Sequence, residues 1–434
     1  MAALGLVGSS LVLAATPNLV EAPRTFLFFF VLMFAAYIAV LSALPRLGQG
    51  RTLGVLLAVA VAARLAWLAA APTLSTDAYR YVWDARVGQA GINPYAYAAT
   101  APEVAHLRDA AIYPRLNHAS WRTIYPPGAQ AFFRAVYAVA PDNVLAIKIA
   151  LGAVELLGLG FLVALLRALD LPRNRIVVYA WNPLVLVEVW GSAHLDALVV
   201  TGVIGVALAL VTRRPAVAAA LLGLATLVKL YPVILLPLLA RLAGVRVVIV
   251  FVLVVALGYT PALGSGLLAL GSLPRYLEQE YFNPGLARSV VGSPMVSVLA
   301  MAVWIAWVVW WRRPSTFADG ALPLTGGFAI LSPNVFPWYV LWVVPFLALK
   351  PSPMWIAFTG TIAFAYAFFL YQPWAIPIWA RLLEIAPLVL GTGWAIVARV
   401  SVRWRSGSSQ RDDIPRVAGA TIVGDSKDAS GGRM

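Results

Sequence analysis

The sequence predicts an all-α fold, a polytopic transmembrane helical bundle of about 12–14 spans with juxtamembrane helices in its first large outer loop. Three observations carry this expectation. The chain is 62% hydrophobic and only 12% charged, against about 25% charged in an ordinary soluble domain. Its mean hydropathy is +0.84. Apolar runs close to the ~20 residues that cross a bilayer as a helix recur from the N-terminus to Val400.

Taken in order, hydrophobic spans fall at about 2–18, 25–44, 52–72, 144–167, 175–190, 195–212, 214–228, 232–245, 246–262, 291–311, 318–333, 337–349, 353–371 and 383–400. Arg46 and Arg51 make the turn between the second and third spans cytoplasmic by the positive-inside rule. Every second connection repeats that signal: Arg167, Arg173 and Arg175; Arg213 and Arg214; Arg241 and Arg246; Arg312 and Arg313; Lys350. Arg399, Arg403 and Arg405 continue it, so both termini are expected in the cytoplasm. The alternation makes 127–141 an interfacial helix on the outer side, because a further crossing there would put Arg167–Arg175 outside. The first stretch has no basic n-region, which favours a retained span over a cleaved signal peptide. No internal repeat marks the inverted halves common in secondary transporters.

Residues 1–402 thus form one membrane domain with two large outer loops, about 73–143 and about 263–290. Residues 403–434 turn to Ser, Gly, Asp and Arg without apolar periodicity and are expected to be a disordered cytoplasmic tail. The net charge of +14 is then mainly an orientation signal, and nucleic-acid binding is not expected.

Composition also removes several chemistries. There is no cysteine, hence no disulfide, thiolate nucleophile or zinc–sulfur site. Three histidines, His106, His118 and His194, cannot build a histidine-rich metal centre. The four lysines follow Ile147, Val228, Leu349 and Ser426, so the Gly-Lys of a Walker A loop is missing.

Chemistry-bearing residues gather at the outer level. The first outer loop opens Leu74-Ser-Thr-Asp77-Ala-Tyr-Arg80-Tyr-Val-Trp-Asp84-Ala-Arg86, and continues through Gly91-Ile-Asn93-Pro-Tyr95 to Thr123-Ile-Tyr125-Pro-Pro127. Asp77 follows a span directly, and positions 77, 80 and 84 share one face of a continuing helix. Spacing alone fits a solvated juxtamembrane helix with weak ion pairs as well as it fits a polar site. The fifth span ends Glu188-Val-Trp190-Gly-Ser-Ala-His194-Leu-Asp196, and the seventh ends Lys229-Leu-Tyr231-Pro232. Lys229 fits a phosphate ligand or a lysine snorkelling to headgroups. Ser332-Pro-Asn-Val-Phe336-Pro-Trp338-Tyr339 interrupts the helix between two spans, and backbone of that kind is tolerated where it lines a cavity. Arg64, Glu155 and Glu384 fall inside spans and are expected to be paired structurally.

These blocks together resemble the GT-C superfamily of membrane glycosyltransferases, and most closely the polyprenyl-phosphate-mannose-dependent mannosyltransferases of the glycosyltransferase family 87 type. Carrying the resemblance are Asp77-Ala-Tyr-Arg-Tyr-Val-Trp-Asp84, Gly91-Ile-Asn-Pro-Tyr95, Ile124-Tyr-Pro-Pro127, Trp181-Asn-Pro183, Gly191-Ser-Ala-His-Leu-Asp196, Lys229-Leu-Tyr-Pro232 and Ser332–Tyr339, over about residues 60–345. It implies an extracytoplasmic active site in a bacterial inner membrane, with Asp77 as catalytic base. It further implies transfer of a hexose, mannose by family default, from a polyprenyl-phosphate donor to a lipid-linked or glycan acceptor. Two departures stand out. Related sequences often pair two acids where this one has Thr76-Asp77, and histidine is frequent where Phe336 stands, so that histidine's role is absent or moved to His194.

An outer compartment lacking nucleotide sugars independently calls for a membrane-carried donor. Inverting displacement needs a base for the acceptor hydroxyl and cations for the departing phosphate. Asp77 is the candidate base. Lys229 and Arg275 are the favoured phosphate ligands, with Arg80, Arg86 and Arg288 as further supply. Asp84, Asn93, Tyr95, Tyr125, His194, Asp196, Tyr231, Trp338 and Tyr339 are the candidate sugar and acceptor contacts, with Trp83 as a further stacking aromatic. A departing lipid phosphate requires no metal and the sequence does not exclude one, so no cofactor or metal site is assigned. The competing class is a secondary transporter or lipid flippase, which shares the spans and intramembrane charges. It lacks support from repeats and from polar residues at mid-membrane.

Overall fold

The computed structural model describes residues 1–46 and 51–409. Helices dominate, with no strand among the described residues and an isolated bridge joining Pro284 to Asn334. The all-α class expected from composition is the class observed.

The chain begins with three helices packed on one another, α1 (Ala2–Ala15), α2 (Pro23–Ala43) and α3 (Arg51–Leu68). Two helices of the first outer loop follow, α4 (Asp77–Gln89) and α5 (Pro127–Val139), which pack against each other. The helix expected at 127–141 is therefore present. Next, α6 (Val144–Ala168) runs along the helix Asp196–Val211. Gly158 permits that approach, because a Cβ there would sit 2.5 Å from the Thr201 hydroxyl, the small-residue logic of membrane helix packing.

Among the described residues, four helical stretches are long and apolar enough to cross a membrane: Pro23–Arg46, Val144–Ala168, Arg246–Gly266 and Pro294–Trp311. Eight shorter apolar helices of 10–17 residues accompany them. Prolines account for much of the shortness. Pro183, Pro215, Pro294, Pro337 and Pro353 each open a new segment, since proline lacks the N–H that would continue the preceding ladder. Outward faces are apolar: Ile249, Val252, Leu253 and Leu257 on one helix, and Val298, Leu299 and Val303 on another, are exposed. Such faces belong against lipid. Trp307, Trp310 and Trp311 are exposed beside Arg312 and Arg313, as at a membrane–water boundary.

The segment expected as one span at 175–190 is broken. It passes through Val177–Ala180 and Pro183–Val185 into a π-helical turn, Leu186–Gly191. A buried ion pair holds this irregular backbone. Arg64 on α3 meets Glu155 on α6 at 2.6 Å, with both side chains at most 1% exposed. Arg64 also donates to the carbonyl of Ala180 (2.7 Å), and the Trp190 indole donates to Glu155 (3.2 Å). Unwound backbone inside a bundle needs such partners.

Contacts divide the chain into two compact units, Met1–Leu388 and Val389–Met434. In the second, helix extends to Ser409, so residues 403–409 are helical, and the rest of the expected tail, 410–434, lies outside the described residues.

Candidate functional site

Asp77 opens α4 with Thr76 at the cap position, where a carboxylate complements the positive end of the helix dipole. Its side chain is 17% exposed. One carboxylate oxygen accepts a hydrogen bond from Asn117 (2.5 Å), and the other lies 3.6 Å from Nδ1 of His194. The sequence gives no signal for Asn117, since it lies forty residues away in irregular loop.

His194 arrives by unusual backbone. The π-helical turn Leu186–Gly191 widens the last turn of the broken span, and Ala193 adopts a left-handed conformation (φ 60°). Together they turn the imidazole inward, fully buried, with its ring stacked on Trp338 at 3.8 Å. Nε2 faces Glu188 at 3.4 Å, and Glu188 in turn accepts from the Tyr366 hydroxyl at 2.9 and 3.1 Å. Two carboxylates therefore bracket one histidine.

Beside this cluster, Asp196 opens the helix Asp196–Val211 and Lys229 closes the helix Pro215–Val228. They pair at 2.6 Å, and the Trp342 indole donates to the second Asp196 oxygen at 2.8 Å. Lys229 also lies 5.4 Å over the Tyr339 ring, whose hydroxyl meets that of Tyr276 at 3.2 Å. Tyr231 stacks on Trp342, and its buried hydroxyl has no hydrogen-bond partner. Lys229 is thus held inward by Asp196, 18% exposed, and does not snorkel away.

Electrostatics follow from these contacts. Burial pushes the Asp77 carboxyl up, but the adjacent His194 imidazole, Asn117 and Lys229 outweigh it and hold the group below the usual carboxylate range. Burial pulls the His194 imidazole down, and Asp77 and Glu188 overcome this, raising it to about 9. Carboxylate next to imidazolium is the state the geometry favours at neutral pH.

The remaining predicted residues have structural partners. Arg80 donates to Asp84 (2.8 Å) and to the Trp121 carbonyl (3.0 Å), while Asp84 accepts from Thr123 and Gln130. Residues Ala78 to Gly88 of α4 are all buried, so this helix is covered by the loop and is not a solvated face. Arg86 bridges Asp109 and Asp142. Asn93 reaches Ser265 (2.5 Å), and Tyr95 donates to the Tyr125 carbonyl (2.9 Å). Tyr125 packs edge-on to Tyr81 near Asp77. Arg288 is buried and donates to the carbonyls of Glu278 and Glu280. Trp83 packs against Tyr113. Arg275 differs: it donates to Gln279 and lies over Trp121 at 4.8 Å, exposed and without a carboxylate partner among the described residues.

The two large polar loops, about 73–143 and about 263–290, touch each other. His118 stacks on Trp121 and lies 3.2 Å from Glu280, so Arg275, Trp121, His118 and Glu280 make a continuous contact between the loops. Glu188, Trp342, Tyr276, Asn117 and Tyr366 are site members that the sequence reading did not assign. Two of them sat in view: Glu188 six residues before His194, and Trp342 three after Tyr339.

Fold and site define a helical membrane protein with an acid–imidazole–acid cluster beneath two polar loops. The model of the MptA_B family, alpha-(1->6)-mannopyranosyltransferase, N-terminal domain, matches residues 3–246, more than half of the chain, and the chain belongs to that family. It is a glycosyltransferase of the mannosyltransferase kind. Asp77, Asn117, Glu188, His194, Asp196 and Lys229 all fall within the matched region. Comparison with curated proteins and with solved structures found no match.

Proposed function

We propose that this protein transfers mannose from a polyprenyl-phosphate donor to a lipid-linked or glycan acceptor at the outer face of a bacterial inner membrane, both termini being cytoplasmic. The observation that carries the reading is Asp77. It is the member of the acid–imidazole–acid cluster with an exposed edge, and its partners keep it ionised. In the reaction the acceptor hydroxyl oxygen bonds to C1 of the sugar as the C1–phosphate oxygen bond breaks. Asp77 takes the hydroxyl proton, and the bond's electron pair leaves on the phosphate. Lys229 and Arg275 are the cations assigned to that growing charge. The family's description gives an α-(1→6) product, which a single displacement makes from a β-linked donor. Trp338, Tyr339 and Tyr231 supply the aromatic faces on which sugar stacks. The lipid-linked sugar is a substrate, and the scheme uses neither a metal nor a resident cofactor.

The test is transfer by purified protein in detergent from polyprenyl-phosphate-[14C]mannose to a panel of glycolipid acceptors, with Asp77→Asn alongside. Label reaching an acceptor in wild type and lost in the variant supports both class and base. Equal transfer in both removes Asp77 as base and keeps the class. Failure to transfer or bind any polyprenyl-phosphate sugar removes the donor assignment and favours a transporter.

A further inference from the structure

Glu188 is fully buried, sits in a π-helical turn, and takes no direct part in the scheme above. Such turns are frequent at functional sites, and a carboxylate inside a membrane bundle is costly enough to need a reason. Its partners are the Tyr366 hydroxyl on one side and His194 on the other.

The imidazole itself sets the constraint. A neutral histidine has one N–H donor and one lone pair. Here both ring nitrogens face carboxylate oxygens, at 3.6 and 3.4 Å, and among the described residues neither has a hydrogen-bond partner within the ordinary range. A neutral ring would turn its lone pair onto one of two acids. Only the doubly protonated ring can donate to both, and its stacking on Trp338 adds a cation–π contact that the neutral ring lacks.

We propose that Glu188 is a positioning residue for sugar transfer: from the far side of His194 it keeps the imidazole doubly protonated and turned toward Asp77, which stays ionised and aimed at the acceptor. This rests on the reading of Asp77 as base. His194 keeps both its protons throughout, and the acceptor's proton ends on Asp77, whose exposed edge returns it to water.

Other charged and titratable groups face the pair. Lys229 acts on Asp77 from the end of its helix but is paired to Asp196. Tyr81, Tyr125 and Tyr276 from the outer loops feel the Asp77 charge, and burial with that charge pushes all three phenols well up. Tyr339 approaches through Tyr276, and Tyr366 through Glu188.

With three histidines in the chain, imidazole titration by NMR of histidine-labelled protein in nanodiscs is direct, His194→Gln assigning the resonance. Wild-type His194 should titrate near 9. In Glu188→Gln it should fall by at least one unit, and the alkaline limb of the transfer pH profile should move down with it. Glu188→Asp should restore part of both shifts. A wild-type His194 that titrates at or below 7 overturns the proposal even if the variants fail to fold. So does a Glu188→Gln profile lowered equally at every pH, which marks a structural role only. Retained transfer in Asp77→Asn would instead overturn the base assignment, whatever the titration gives.

Discussion

Lys229 Nζ lies 2.6 Å from Oδ2 of Asp196, the lysine closing one helix and the aspartate opening another. Opposite helix ends thus bring together charges that each complement their own dipole, beside Asp77. Lys229→Met leaves a fully buried carboxylate with Trp342 as its remaining partner. Loss of one partner from such a pair costs about 3–5 kcal/mol. The double variant Lys229→Met with Asp196→Asn should recover most of that stability in a thermal melt. Transfer should stay low in both, because the phosphate has lost its cation; recovery of transfer in the double variant would remove Lys229 from the donor site.

Asp77→Asn should lower transfer by roughly 10²–10⁴-fold, the usual contribution of a positioned general base. Asn117 retains a partner in the amide, so the melting temperature should change little. Collapse of the fold in this variant would contradict the assignment of Asp77 to chemistry.

Stability should fall on the alkaline side. His194 is raised to about 9 when folded, against about 6.5 in the unfolded chain. Its contribution is fully present below the unfolded value and is lost as pH rises through about 9. Melts from pH 6 to 10 should show the decline, and His194→Gln should flatten it. Asp109 acts oppositely. Its hydrogen bond from Arg86, working against partial burial and aided by backbone N–H groups, lowers its carboxyl, so its contribution is present above the ordinary carboxylate range and lost at strongly acid pH.

Arg64→Leu or Glu155→Gln should each destabilise by about 3–5 kcal/mol, because each strands the other group in the bundle. The paired replacement of both by leucine should be near neutral. Any transfer lost by the single variants should track loss of folded protein, measured by size-exclusion chromatography against activity per folded molecule.

Gly271→Ala should separate the outer loops. Gly271 has φ 56°, and a Cβ there would overlap the Thr123 carbonyl, while Ser272 donates its N–H to that same carbonyl. Faster proteolysis within 263–290 in the variant than in wild type is the expected readout.

Much of the fold was legible because lipid imposes a simple rule: apolar runs, interrupted by prolines and bounded by arginines, had to become helices. A helix at 127–141, expected from the sequence as non-spanning because a further crossing would break the charge alternation, is present as Pro127–Val139. The interruption at Asn182-Pro183 was visible as a proline, but the π-helical turn over 186–191 was not, since π geometry leaves no compositional trace. Within the site, Asp77 and Lys229 stood out as charges at span ends. Arg80, Asp84 and Arg86 stood out equally; the Arg80–Asp84 pair is the i,i+4 contact their spacing offers, but their other partners are loop groups up to 56 residues away, which spacing along one helix cannot reveal.

The sequence by itself determined that this chain is a helical membrane protein and marked the loops between its spans as the place where polar groups gather, because hydropathy and charge act locally and one residue at a time. Tertiary structure alone decided which of those groups meet. Asn117 reaches Asp77, Glu188 reaches His194 and Tyr366 reaches Glu188, across 40, 6 and 178 positions. Contacts at such separations depend on how helices cross and where backbone unwinds, and no local pattern encodes either.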